Sequence, residues 1–300
     1  MKSQSIPPVG LAEDIGDSIR RILAPNPSPM TLHGTNTYLV GYGDVAVIDP
    51  GPDDAAHLQA ILASLHPNER ITHILVTHAH RDHSPLARTL SNVTGAPVYA
   101  YGGPEAGRSK VMEGIALSGA LAGGEGVDRS FAPDITLTDT EIVSGSNWTL
   151  KALWTPGHFG NHLCFQMGDV VFAGDLVMGW ASSLVSPPDG DLTDFMSSCR
   201  RLQTLNARIM HSGHGDPIVE PAKRLDWLIA HRTARETAIL KRLQSGPATA
   251  NELARAIYTD TPKTLMRAAT RNVLAHLIDL YGKKQCSAIG KLSSDTTFFC

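Results

Sequence analysis

The stretch Thr77-His78-Ala79-His80-Arg81-Asp82-His83-Ser84 sets His78, His80, Asp82 and His83 within six residues. Just before it, Ile71-Thr-His-Ile-Leu-Val76 is apolar and β-branched, which predicts a buried strand. Just after it, Ser84-Pro85 predicts a helix start, with Ser84 as N-cap and Pro85 in the first turn. The histidines therefore sit on a loop at the carboxyl end of a strand, where α/β proteins tend to build their sites. Three imidazoles and a carboxylate this close together form a donor set suited to zinc, iron or manganese.

Outward from that stretch, the composition fits a folded chain with a real core: 300 residues, 42% hydrophobic and 18% charged. Charge is divided unevenly. Residues 1–220 hold 13 Lys+Arg against 23 Asp+Glu, a net of −10, whereas residues 221–300 hold 13 against 6, a net of +7. An acidic body with a basic tail results. Cys164, Cys199, Cys286 and Cys300 are scattered, with no C-x-x-C pair, so no disulfide framework is expected. The amino terminus lacks the apolar stretch of a signal peptide, and no window is long and apolar enough for a membrane span. These features predict a cytoplasmic protein with no membrane partner.

Residues 1–30 are loosely patterned. Thr37–Val40 and Asp44–Asp49 read as a hairpin around Gly41-Tyr-Gly43. Asp53–Leu65 reads as a helix capped by Asp53 or Asp54, followed by the motif strand, a helix over Pro85–Asn92 and a strand over Val98–Tyr101. Residues 102–134 are Gly-rich and irregular, either a cover for the site mouth or an ordinary insertion. Strands follow at Trp148–Leu153, His162–Met167 and Asp169–Ala173, then an amphipathic helix over Asp191–Leu205 and a last strand at Arg208–His211. This order predicts α/β layers with helices outside stacked sheets.

The texture changes near residue 220. Helices over Ala222–Gln244, Ala250–Tyr258 and Thr264–Tyr281, then a hairpin within Gln285–Phe299, give a winged-helix pattern. Two domains are expected: 1–220 catalytic and 221–300 winged-helix-like. Lys263, Arg267 and Arg271 make a modest basic stripe on the third helix, so nucleic-acid binding by the tail is a competing reading.

Three more polar positions follow strands beside glycine: Thr155-Pro-Gly-His158, Ala173-Gly-Asp175 and Ser212-Gly-His214-Gly215. Each glycine lets the backbone turn sharply so that the polar side chain enters a crowded pocket. With these motifs in this order, residues from about 31 to 220 resemble the metallo-beta-lactamase superfamily. The resemblance implies an αββα sandwich with two metals at the sheet edge. It implies that His78, His80 and His158 hold one metal, that Asp82, His83 and His214 hold the second, and that Asp175 bridges them. An Asp at the bridging place resembles hydroxyacylglutathione hydrolases and nucleases more than lactamases. The similarity is closer to the beta-lactamase-like endoribonuclease group. It is carried by Thr31-Leu-His-Gly-Thr-Asn-Thr-Tyr38, His231-Arg232 and Asn272-Val-Leu-Ala-His276. Phe159 departs from that group, which has Thr or Ser after the histidine.

The resemblance implies a hydrolase with two zinc ions, iron and manganese being alternatives. A metal-bridging hydroxide would attack an ester, thioester or phosphodiester, and Asp82 would shuttle the proton as the catalytic carboxylate. The substrate is then a small ester or thioester, or single-stranded RNA as in the endoribonuclease group. A further alternative is a mononuclear-iron sulfur dioxygenase. Asp49 has two readings: accepting the second N–H of a ligand histidine, as its place in the family suggests, or capping the Pro50-Gly51 bend. His162 lies near the mouth or serves the strand. His33, His57, His66, His73 and His211 are read as structural, and Trp180 as either pocket lining or core. A homodimer through the carboxyl-terminal domain is left open.

Overall fold

A computed structural model describes residues 6–124 and 126–300. Residues 1–5 of the loosely patterned amino terminus and position 125 of the 102–134 excursion lie outside the described residues. The chain builds its first sheet in order: β1 (Ala12–Asp14), β2 (Ile19–Leu23), β3 (Asn36–Val40), β4 (Asp44–Ile48), helix α1 (Ala55–Ala63), β5 (Arg70–Leu75), helix α2 (Leu86–Thr94), β6 (Val98–Ala100), helix α3 (Lys110–Leu117) and β7 (Ile135–Thr136). Neighbours in sequence are neighbours in the sheet. Pairing is antiparallel from β1 to β4 and parallel from β4 to β7. The change comes where α1 and α2 begin to serve as crossovers, since parallel strands cannot be joined by a tight turn.

The second sheet holds β8 (Ile142–Ser144), β9 (Thr149–Trp154), β10 (Leu163–Met167) and β11 (Val170–Gly174), then, after helix α4 (Leu192–Gln203), β12 (Ile209–Ser212). Its spatial order is β12-β11-β10-β9-β8, with only the β11–β12 pair parallel. Side chains alternate across each strand. Along β4, Val45 and Val47 point toward α1 and α2, while Ala46 and Ile48 point between the sheets. Tyr38, Ile48 and Leu75 meet Leu163, Phe165 and Phe172 there. Ile61, Leu86 and Leu90 cover the outer face of the first sheet, and Phe195, Cys199 and Leu202 that of the second. The result is the expected αββα sandwich. Each such fully buried side chain contributes roughly 1.5–3 kcal/mol.

The tail contains α5 (Pro221–Leu243), β13 (Ala248–Thr249), α6 (Ala250–Ile257), α7 (Met266–Gly282), β14 (Ser287–Ile289) and β15 (Thr297–Phe299). Thr249 and Glu252 close a capping box at the start of α6. The strands order as β13-β15-β14, the wing of a winged-helix domain. Ile239, Leu243, Leu253, Leu274, Leu277 and Phe298 form its core. Helix α5 serves two cores, because Leu225 and Leu228 near its start pack with Phe195 and Leu202 of α4. No described helix is long and apolar enough to cross a membrane.

Several local expectations are corrected. The amino-terminal stretch supplies two strands, and every residue of β2 is buried. Strands β7 and β8 also had no counterpart in the sequence reading. Ser84 does not cap α2: Pro85 occupies that position with helical φ and ψ, and the Ser84 hydroxyl donates to Asp128 Oδ2 (2.8 Å). Lys263 lies in a short 3-10 turn, Lys263–Leu265, ahead of α7. Trp180 is neither core nor lining of the cavity described below: it is 38% exposed and rests against Gly215.

Candidate metal centre

The strand β5 ends at Leu75 and delivers the 77–84 stretch to the edge of the sandwich. Asp49, just beyond β4, holds that edge. Its Oδ1 accepts from the Thr77 backbone N–H (2.7 Å), and its Oδ2 accepts from Thr77 Oγ1 (2.8 Å) and His83 Nδ1 (2.9 Å). Asp49 has φ +50°, a left-handed conformation that Asp tolerates better than most residues. The 102–134 excursion does cover this edge. Val127 pairs with His80 as an isolated bridge, and Arg81 N–H donates to Gly126 O (2.7 Å). Phe159, fully buried, sets its ring edge-on to His80 at 4.8 Å.

Two clusters of donor atoms form. His78, His80 and His158 make one, and Asp82, His83, Asp175 and His214 the other; within each, the donor atoms lie within 4.8 Å of one another. In the first, His80 Nδ1 is 2.8 Å from His78 Nε2 and 3.1 Å from His158 Nε2. In the second, His214 Nε2 is 3.1 Å from Asp82 Oδ2 and 3.2 Å from Asp175 Oδ2, and His83 Nε2 is 3.5 Å from both carboxylates. The described structure therefore gathers all seven side chains singled out as ligand candidates.

The second ring nitrogens fix the tautomers. Nδ1–H of His83 donates to Asp49, Nδ1–H of His158 to Leu184 O (2.6 Å) and Nδ1–H of His214 to Gly34 O (3.1 Å). His78 Nδ1 lies 2.9 Å from Thr77 Oγ1, whose own proton goes to Asp49, so His78 donates as well. Each of these rings then turns its Nε2 inward, the edge that a ligand histidine offers a cation. His83 Nε2 and Asp175 Oδ1 are buried with no hydrogen-bond partner. Unpartnered buried polar atoms facing one another fit a cation between them.

Electrostatics agrees for the first cluster; in the second, burial opposes charge on His83, but Asp82, Asp175 and Asp49 outweigh it and raise the imidazole well above its usual value. Burial, and then the neighbouring imidazoles, pushes His78 well below its usual value, and burial followed by His158 lowers His80 to about 3. Burial also lowers His158. Neutral imidazoles are the ligand form. Burial opposes charge on Asp175, but His214 and His83 outweigh it and hold the carboxyl well below the ordinary range. Burial likewise opposes charge on His214, yet Asp175 and Asp82 lift it to about 9.

Glycines allow the crowding. A Cβ on Gly213 would fall 2.3 Å from Asp175 Oδ1, and one on Gly174, at φ +47°, 2.6 Å from His162 Nε2. His162 is buried behind His78, with ring centroids 5.2 Å apart and Nδ1 3.0 Å from Thr155 Oγ1. Of the histidines read as structural, His57 and His211 are buried. His57 Nε2 meets Thr37 Oγ1 at 2.8 Å, away from the clusters. Sequence reasoning missed Asn36 and Tyr38 as supports. The Asn36 amide donates to Ser212 O and Gly215 O, and the Tyr38 hydroxyl donates to Ser212 O, bracing the loop that carries His214. Both lie in the Thr31–Tyr38 signature, whose polar run was the available signal.

A cavity of about 730 Å³ opens onto both clusters. Met30 and Thr31 line one side and Gly124 and Gly126 another, while Leu265, Arg267 and Arg271 come from the tail. Arg271 also donates to Pro187 O (2.9 Å) and Ala122 O (3.0 Å). Part of the basic stripe thus faces the sandwich.

The profile of the Metallo-beta-lactamase superfamily matches residues 30–214, and that of the Beta-lactamase associated winged helix domain matches residues 249–282. The chain belongs to the metallo-beta-lactamase superfamily. It is a hydrolase of that superfamily with a candidate metal site. A Beta-lactamase-like protein 2 homolog of Caenorhabditis elegans is 32% identical over 276 residues, covering 87% of this chain and 83% of that one. An atrochrysone carboxyl ACP thioesterase of Aspergillus fumigatus is 28% identical over 282 residues, covering 87% and 80%. Among solved structures, a metallo-beta-lactamase family protein from Thermus thermophilus superposes with a TM-score of 0.76 at 27% identity, covering 95% of this chain and 99% of that one.

Proposed function

We propose that this superfamily member hydrolyses a small ester or thioester with two divalent cations. His78, His80 and His158 would hold one, Asp82, His83 and His214 the other, and Asp175 would bridge them. Zinc is the metal proposed; the same nitrogen and oxygen donors suit iron or manganese. The observation that carries the reading is two adjacent donor clusters sharing one cavity sized for a small molecule. When bound, such cations supply Lewis acidity and a water whose pKa falls towards ~7.

The chain's own residues do the rest. Asp82 keeps its side chain 27% exposed and lines the cavity, so its carboxylate takes the proton of the attacking water and returns it to the leaving group. Asp49 and the Leu184 and Gly34 carbonyls hold His83, His158 and His214 in register. The excursion and the tail both contribute residues to the cavity wall. We assign residues 1–220 to the catalytic domain and 221–300 to the winged-helix-like domain. A reducing, cytoplasmic setting suits the free buried thiols of Cys164, Cys199 and Cys286.

The thioester reading gains support from the relative named as an ACP thioesterase. A second reading, cleavage of single-stranded RNA, is favoured by Arg81, Arg267 and Arg271 among the cavity-lining residues, since guanidinium groups suit phosphates. The test is metal analysis together with a panel of thioesters, lactones, phosphodiesters and short RNA. Two cations per chain and thioester turnover abolished by a chelator are expected. RNA as the better substrate would select the second reading. One iron per chain with oxygen uptake would overturn both in favour of a sulfur dioxygenase.

A further inference from the structure

Arg232 and Asn272, in two tail motifs that the proposed chemistry does not use, meet at the sandwich rather than within the tail's own core. Arg232 is 1% exposed and belongs to α5. Its Nη2 donates to Ser183 O, its Nη1 donates to Asn272 Oδ1 (3.0 Å), and its guanidinium lies over the Phe195 ring at 5.0 Å. Among the described residues no carboxylate pairs with it, and burial lowers it to about 10. A buried cation held only by neutral acceptors is a costly arrangement for simple docking. Asn272, on α7, accepts twice at the same oxygen, from Arg232 and from the Val185 backbone N–H (3.0 Å).

The residue between these two contacts is Leu184. Its carbonyl accepts from His158 Nδ1 at 2.6 Å, and Leu184 lines the cavity. The peptide unit that contains that carbonyl is thus held by Asn272 at its Val185 N–H, and the preceding unit is held by Arg232 at Ser183 O. Ser183 is anchored further by its hydroxyl, which donates to Leu176 O (2.9 Å).

We propose that Arg232 and Asn272 are positioning residues of the metal centre: through the Ser183–Val185 peptide they fix the Leu184 carbonyl that orients His158. The winged-helix domain is then a working part of the site. This rests on the reading of His158 as a ligand. Outer partners of ligand histidines typically govern metal affinity by ~10–100-fold. The effect belongs to the cation at His78, His80 and His158, not to its neighbour.

The experiment is metal titration of the full chain in competition with a chromogenic chelator, with zinc as the probe. Asn272→Leu keeps the volume and removes the acceptor; it should weaken one of two cations by ~10–100-fold and leave the other unchanged. Asn272→Asp retains an oxygen at that position and should rescue it. Arg232→Met should match Asn272→Leu, and it carries the test if that variant does not fold. Thr193→Val removes another contact between sandwich and tail, the Thr193 Oγ1 donation to Asp279 Oδ1 (2.6 Å), away from the Leu184 loop. It should lower the melting temperature while leaving both affinities intact. A folded Asn272→Leu or Arg232→Met that binds two cations as the parent does overturns the positioning role but leaves the ligand reading standing. A parent chain that binds no zinc overturns the ligand reading itself.

Discussion

Oδ2 of Asp175 stands 3.9 Å from Nε2 of His158. The same oxygen is 3.2 Å from Nε2 of His214, so one carboxylate reaches toward both donor clusters. In the proposed two-cation site its negative charge would offset the repulsion between the cations. Asp175→Asn preserves shape and removes that charge. The expected outcome is loss of one cation per chain and a drop in turnover on the order of 100-fold or more, with an unchanged far-ultraviolet spectrum. Two retained cations with near-parental turnover would refute the bridging role.

Gly213 tests the same carboxylate from the backbone side. An added methyl would lie 2.3 Å from Asp175 Oδ1 and 2.7 Å from His83 Cε1, and one of them must move. Gly213→Ala should reduce bound metal and activity together. Gly282→Ala meets nothing within 4 Å at the end of α7 and should leave both unaltered, with stability unchanged or raised by about 0.5–1 kcal/mol. Equal metal content in the two variants would contradict the packing argument.

Asp49 can be separated from its turn. Asn tolerates the +50° φ and can still accept from Thr77 N–H, so Asp49→Asn should fold. It replaces the charged acceptor that holds His83 Nδ1. Metal affinity should fall ~10–100-fold at the Asp82, His83 and His214 position, as read by chelator competition. If only the melting temperature changes, Asp49 is a turn residue alone.

Acid sensitivity should depend on buried neutral histidines away from the metal centre. Burial, reinforced by Arg232, lowers His276 to about 3, and burial lowers His57 to about 4. Each folded value lies below the unfolded 6.5, so the unfolded chain takes up the proton first as pH falls. The associated stability is present above about pH 6.5 and is lost progressively toward pH 3–4. His276 makes no hydrogen bond at either ring nitrogen, so His276→Leu removes its titration without breaking one. Proton uptake on unfolding should drop by about one, and the acid midpoint should move to lower pH. An unchanged midpoint in acid-unfolding curves would dismiss this account.

The sequence by itself determined the elements whose apolar pattern is uninterrupted and the loops whose chemistry is local. The run before Thr77 reads as a buried strand because Ile71, Ile74, Leu75 and Val76 are apolar and mostly β-branched, and β5 is that strand. Glycine beside His158, Asp175 and His214 marked crowded turns, and all three side chains reach the two clusters. What tertiary structure alone decided involves partners distant in sequence. Ile19-Arg-Arg-Ile-Leu23 did not read as a strand because two arginines interrupt it. It is buried because Arg20 pairs with Glu69 (2.8 Å) and Arg21 with Glu13 (2.6 Å). Ser84 reads as a cap, but the fold starts α2 one residue later, with Pro85 at the cap position, and the Ser84 hydroxyl donates to Asp128 Oδ2. The support behind His158 is a backbone carbonyl at Leu184, fixed from residues 232 and 272. A carbonyl has no side-chain signature, so only the folded chain assigns it a partner.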